Sequence, residues 1–153
     1  MQSEAKKYNP SKMELTRRAE IVNFEEVIRN TEGSLGEDPF PLKHHFAPGV
    51  YAREILLPED TVIIGKIHKH DHLIIFLSGV VSISSYKGVE LVTTPGVAIL
   101  PVGIKRAVYA HVDSRIVTIH VTDKTDLEEI EEEVIAKNFG ELQLNNKKFE
   151  VLP

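Results

Sequence analysis

The stretch Ile64-Gly65-Lys66-Ile67-His68-Lys69-His70-Asp71-His72 puts three of the chain's seven histidines at alternate positions. On an extended strand, alternate side chains share one face. Imidazoles crowded on one face are costly unless something sits among them: a metal ion, an anion or a proton network. An apolar run, Leu73-Ile74-Ile75-Phe76-Leu77, follows and closes on Ser78-Gly79. Other chemistries lack their residues. There is no cysteine, hence no disulfide, no thiolate nucleophile and no thiolate zinc site. No glycine-rich phosphate loop precedes a helix, and neither His-Glu-x-x-His nor Gly-x-Ser-x-Gly occurs, so serine and nucleotide hydrolysis have no support.

The elements that must position these histidines come from a chain of 153 residues, enough for one domain with a real core. A net charge of -5 argues against a nucleic-acid partner, since phosphate neutralisation wants clustered Lys and Arg. The N-terminus, Met1-Gln2-Ser3-Glu4-Ala5-Lys6-Lys7, lacks the apolar centre of a signal peptide. No run approaches the ~18–20 apolar residues of a membrane span. The expectation is a cytoplasmic protein with no membrane association.

Three regions follow from the pattern. Residues 1–39 form an N-terminal arm. A polar tail ends at Asn9-Pro10, and Ser11 with Glu14 reads as a capping box that starts a short helix. Asn23 with Glu26 repeats that signal, as a second short helix or a strand lead-in, and Thr31 to Pro39 is a loop. Residues 40–122 form the barrel. Short β-rich runs near 49–57, 61–68, 72–77, 79–85, 89–92, 96–100, 105–111 and 115–121 alternate with turn signals. The fold class is therefore all-β, a jelly roll or small barrel with helical additions at both ends. Residues 123–153 hold a C-terminal helix and tail. Thr125 with Glu128 caps a helix carrying Leu127, Ile130, Val134 and Ile135, which stops near Asn138-Phe139-Gly140. The acidic run Glu128-Glu129, Glu131-Glu132-Glu133 is its solvated face, and residues 142–153 are a strand or a tail. Barrel edges and the arm both need cover, so a homodimer is expected.

The barrel region resembles the cupin superfamily over roughly residues 48–122. The family's first motif has Gly, His-x-His, a Glu a few residues on, then six residues and Gly. Here His72, six residues and Gly79 match the second half, with His72 in the place of Glu. His68 falls where the second histidine sits and Lys66 where the first does. The second motif, Gly, an apolar run, Pro-x-Gly, two residues and His, reads Gly96-Val97-Ala98-Ile99-Leu100-Pro101-Val102-Gly103-Ile104-Lys105-Arg106. Arg106 takes the histidine position, and the Gly-to-Pro spacing is one residue short. The chain is also similar to small cupin-like proteins carried by bacteriophages.

The resemblance implies that Lys66, His68, His72 and Arg106 face the barrel interior. Of these, only the two histidines can ligate a metal. His120 or His111, from neighbouring strands, could complete a set for Zn, Fe, Ni or Mn. His120 shares a strand face with Thr118; a lone strand histidine is otherwise a core or rim residue. Lys66 and Arg106 would repel a cation and attract an anion, supplied by Glu54 or by a small bound ligand. Tyr109 near Arg106 could donate to that ligand or simply pack. His70 sits in a turn beside Asp71, as a ligand or exposed to solvent. His44 and His45 precede the first barrel strand and point to opposite sides, and Tyr51 and Tyr86 are barrel or rim aromatics. Two functions stay open. One is a metal-dependent enzyme, an isomerase, lyase or oxygenase acting on a small molecule. The other is a non-catalytic module that binds a small anion or another protein without metal.

Overall fold

The computed structural model describes residues 10–35, 40–85 and 87–142. The polar tail up to Asn9, part of the loop before Phe40, Tyr86 and the segment after Leu142 lie outside the described residues.

The arm is one helix, α1 (Lys12–Arg29), with Ser11 as its N-cap accepting from the Glu14 amide at 3.1 Å. The second start expected at Asn23 does not occur. No Gly or Pro interrupts residues 12–29, so the first nucleus propagates through Asn23. The helix sits on the barrel through an unusual face. Glu14, Arg18 and Ile21 are its buried residues. Arg18 pairs with Glu14 at 2.9 Å and lies 4.3 Å above the Phe139 ring, and Glu25 meets the buried Lys105 at 2.9 Å.

The barrel is a jelly roll of two facing antiparallel sheets. One has the order β1-β2-β10-β5-β8 and the other β3-β9-β6-β7. The strands are β1 (Leu42–Ala47), β2 (Val50–Leu57), β3 (Val62–Ile64), β4 (Ile67–His68), β5 (His72–Ser78), β6 (Val80–Ser85), β7 (Gly88–Thr93), β8 (Gly96–Leu100), β9 (Ala107–Ala110), β10 (Ser114–Val121) and β11 (Ile135–Ala136). Two corrections concern the expected strands. His44 and His45 do not precede the first strand; they lie in β1, which pairs along β2 with His44 opposite Arg53 and His45 opposite Ala52. The run 61–68 is broken after Ile64. The Gly65 amide donates to the Arg106 carbonyl at 2.8 Å, and the chain then leaves β9 to form β4.

Period-2 alternation sets the interior. Along β5, His72, Ile74 and Phe76 are buried while Leu73 and Leu77 are exposed. Ile55 and Leu57 of β2, Ile74 and Phe76 of β5 and Ile116 of β10 meet Val81 of β6 and Val108 and Ala110 of β9 in one apolar core. The same inner faces continue past this core to Tyr51, His72 and His120, all buried. The outer face of the larger sheet is apolar across three strands. Ile99, Leu73 and Ile119 are register partners in one row, Val97, Ile75 and Val117 in the next.

The β5–β6 connection turns at Gly79, whose φ is +100°. A Cβ placed there would lie 2.6 Å from Ser114 Cα, so only glycine lets the two backbones approach.

The C-terminal helix, α2 (Leu127–Val134), starts one residue later than its sequence signal. Asp126, not Thr125, is the N-cap and accepts from the Glu129 amide at 3.0 Å. It also ends before Asn138. Ile135 and Ala136 become β11, pairing with His68 and Ile67 of β4, because β4 left its sheet with an edge to satisfy. The Lys69 amide extends the clasp to the Val134 carbonyl at 2.8 Å. Ile130 and Val134 pack on Tyr51, so α2 covers the histidine end of the barrel. Among the described residues, no helix is long and apolar enough to cross a membrane.

Candidate metal centre

Three elements bring three imidazoles together. β5 opens with His72 on its inner face, β10 carries His120 near its end, and β4, held by β11, delivers His68. Ring centroids are 4.0 Å apart for His68 and His72, 4.9 Å for His72 and His120 and 5.3 Å for His68 and His120. One nitrogen from each ring can be chosen so that all lie within 4.8 Å of one another. His72 and His120 are buried and His68 half-buried. Neither nitrogen of His72 has a hydrogen-bond partner; the backbone of His70 approaches the ring without hydrogen-bonding geometry. His120 Nε2 lies 3.2 Å from Thr118 Oγ1, which fixes that ring's orientation. Behind His120, Tyr51 stacks at 6.0 Å and its hydroxyl meets His44 Nδ1 at 2.8 Å.

All three histidines are kept neutral. Burial, then the neighbouring His72, His120, Arg106 and Arg53, push His68 down to about 2. Burial, His120 and Arg106 push His72 down to about 4. Burial and Arg53 push His120 down to about 4. The Arg106 guanidinium is itself lowered by burial to about 10, which leaves it charged at neutral pH.

This has a consequence for stability. The unfolded chain takes up these protons near pH 6.5, the folded chain only near pH 4 or below. Between those values the unfolded state binds more protons, so the metal-free protein loses stability as pH falls, by at most about 1.4 kcal/mol per pH unit for each histidine. Its thermal midpoint is expected to drop steadily from about pH 6.5 to about pH 4.5. A midpoint that stays level through that window would rule out a buried neutral triad.

Such a nitrogen set suits a first-row divalent ion. Neutral imidazole is a common ligand for Zn, Fe and Ni, and three protein donors leave positions open. At metal–nitrogen distances near 2.0–2.1 Å, tetrahedral ligands stand roughly 3.4 Å apart. The nitrogens, up to 4.8 Å apart, would have to draw together by up to about 1.4 Å to reach it. The orphaned nitrogens of His72 are the best structural sign that something belongs there, since buried polar atoms without partners are rare.

The other expected site residues are placed elsewhere, with one exception. Arg106 is buried beside the cluster. Lys66 does not face the interior; it follows the break at Gly65 and pairs on the surface with Glu131 of α2. Tyr109 and His111 project from the outer face of the smaller sheet. Tyr109 donates to Asp60 at 2.6 Å, and His111 Nε2 lies 2.6 Å from Ser82 Oγ. His70 is exposed at the bend. Glu54 does not balance Arg106; it faces outward to His45 at 2.9 Å and Arg115 at 3.3 Å. Arg53 was not anticipated. Its alternation with Tyr51, Ile55 and Leu57 on one face of β2 was the available signal.

No family model matches the sequence, and no curated protein matches it either. Solved structures with a similar course of chain include a cupin superfamily protein from Desulfitobacterium hafniense, with a TM-score of 0.48, 13% identity, and coverage of 63% of this chain and 88% of that one. A cupin-2 domain protein from Shewanella frigidimarina has a TM-score of 0.47 at 12% identity, covering 69% and 98%. KdgF from Halomonas sp. has a TM-score of 0.47 at 14% identity, covering 56% and 79%. The likeness is one of fold, and the site stands on its own residues.

Proposed function

We propose that the protein holds one first-row divalent metal ion on His68, His72 and His120 and binds a small molecule at the positions the three imidazoles leave open. The orphaned, buried nitrogens of His72 carry this reading. A bound ion would act as a Lewis acid on an oxygen of that molecule. The chain's own residues do the rest: Thr118 orients His120, α2 and Tyr51 shut water out of one end, and Arg106 sets a positive field. Chemistry of the isomerase, lyase or oxygenase type fits such a site. The test is elemental analysis of untagged protein, as isolated and after incubation with zinc, iron, nickel and manganese. About one metal ion per chain is expected. Protein that stays metal-free after all four incubations would favour a metal-free binding module instead.

We also propose that the chain works as a homodimer joined through the outer face of its larger sheet. Val97 and Ile99 on β8 are more than two-thirds exposed, at 68% and 69%, in the apolar rows shared with β5 and β10. The charged side chains on this face, Lys43, Glu54 and Arg115, lie on β1, on β2 and at the start of β10. β8 is also an edge strand of this sheet. A second copy related by a two-fold axis covers both the apolar rows and the unpaired edge. Sedimentation at micromolar concentration should give twice the chain mass for the native protein and the monomer mass for Ile99→Lys. A monomeric native protein would end this reading.

A further inference from the structure

We infer that the small molecule taken by this site is a dianion, with one carboxylate or similar oxyanion group held by Arg106. This rests on the metal reading and narrows it to a ligand class. Arg106 is buried to 9% exposure, and its Nη1 has no hydrogen-bond partner. A buried guanidinium is costly without an anion, and its planar fork matches a carboxylate in two parallel hydrogen bonds. Among the described residues, no carboxylate is seen paired with Arg106. Glu54 is engaged by His45 and Arg115, Glu131 by Lys66 and Glu25 by Lys105. Asp71, the carboxylate nearest His72 in sequence, accepts from the Val102 amide at 2.7 Å.

Charge counting leads from one negative group to two. The metal set is three neutral imidazoles, so a divalent ion keeps its full charge, and Arg106 adds another positive charge beside His68 and His72. Asp71 acts on His72 with the opposite sign and offsets one of these three positive charges. A monoanion would still leave a positive charge uncompensated in a water-poor interior, and a dianion would not. A small dicarboxylate or 2-hydroxy acid answers both features: one group for the guanidinium, and oxygens for the open positions on the ion.

Calorimetric titration of the zinc-loaded protein with malonate and with acetate tests this, alongside zinc content. Malonate is expected to bind at least about tenfold more tightly than acetate, and Arg106→Met to weaken malonate by about tenfold or more while zinc stays at one per chain. Equal binding of the two acids, or unchanged malonate affinity in Arg106→Met, would overturn the inference. If Arg106→Met fails to fold, Arg106→Lys, which keeps the charge but loses the fork, must weaken malonate in its place; if it does not, the inference falls. A native protein that takes up no zinc sinks the metal reading separately. Malonate titrated into that metal-free protein and into the arginine variants then decides whether Arg106 binds the anion alone.

Discussion

Replacing His120 by alanine should abolish the metal binding proposed above while leaving the barrel folded. With one of three nitrogen donors gone, two imidazoles cannot retain a divalent ion through desalting. Loss of a supporting residue alone typically costs about 10–100-fold in metal affinity, and loss of a ligand costs more. The content should fall from about one ion per chain to less than about a tenth. The fold should survive because His120 lies beyond the apolar core, and β10 keeps its backbone pairing to β2 and β5 on either side. A second readout separates loss of a ligand from general damage. The metal-free variant has one histidine fewer to protonate on unfolding, so its thermal midpoint should fall less steeply below about pH 6.5 than that of the native protein. A full complement of metal in His120→Ala would show that the ion sits elsewhere.

Gly79→Ala should cost the fold itself, by about 2–6 kcal/mol. Two terms add. A non-glycine residue held at φ +100° is strained by about 1–3 kcal/mol. The new methyl would meet Ser114 Cα and Cβ at 2.6 Å and press on its Oγ, and overpacking of this kind adds about 1–3 kcal/mol. Ser114 cannot step aside. It is the first residue of β10, paired opposite Leu57, with its hydroxyl donating to the Val112 carbonyl at 2.7 Å. Against a typical total stability of about 5–15 kcal/mol, this is enough to unfold much of the protein near body temperature. Urea denaturation followed by circular dichroism measures it, and a loss below about 1 kcal/mol would contradict the close approach.

The strand faces that carry the triad could be read from alternation alone. His72 leads Ile74 and Phe76 on one face of β5, and His120 follows Ile116 and Thr118 on one face of β10. What escaped the sequence was non-local. The motif resemblance sets Lys66 in the first histidine's place and so inside, and nothing local shows that β4 leaves its neighbours to pair with β11. Tyr109 and His111 share a face, but in Ala107-Val108-Tyr109-Ala110 both faces are plausible interiors, and only the pairing with β6 decides. β1 was missed because its centre is Lys43-His44-His45, polar on both sides of the pleat. The buried face of α1 defeats pattern reading altogether. Glu14 and Arg18 satisfy each other beneath the helix while Met13, Phe24 and Val27 remain exposed.

The two-residue clasp between β4 and β11 ties the triad to the order in which the chain is made. His68 is held by a segment that leaves the ribosome long after it, and His120 also comes late. The apolar barrel can begin to close around β5 and β6 while the chain is still growing, but the imidazoles cannot converge until synthesis has passed Ala136. On the proposed metal reading, capture of an ion would therefore be a late event of maturation. The same clasp, being short and next to the surface, is the natural place for the finished protein to open first. Amide exchange at Ile67, Lys69 and Ala136 should report on this opening, and added zinc should slow it if the ion is held as proposed.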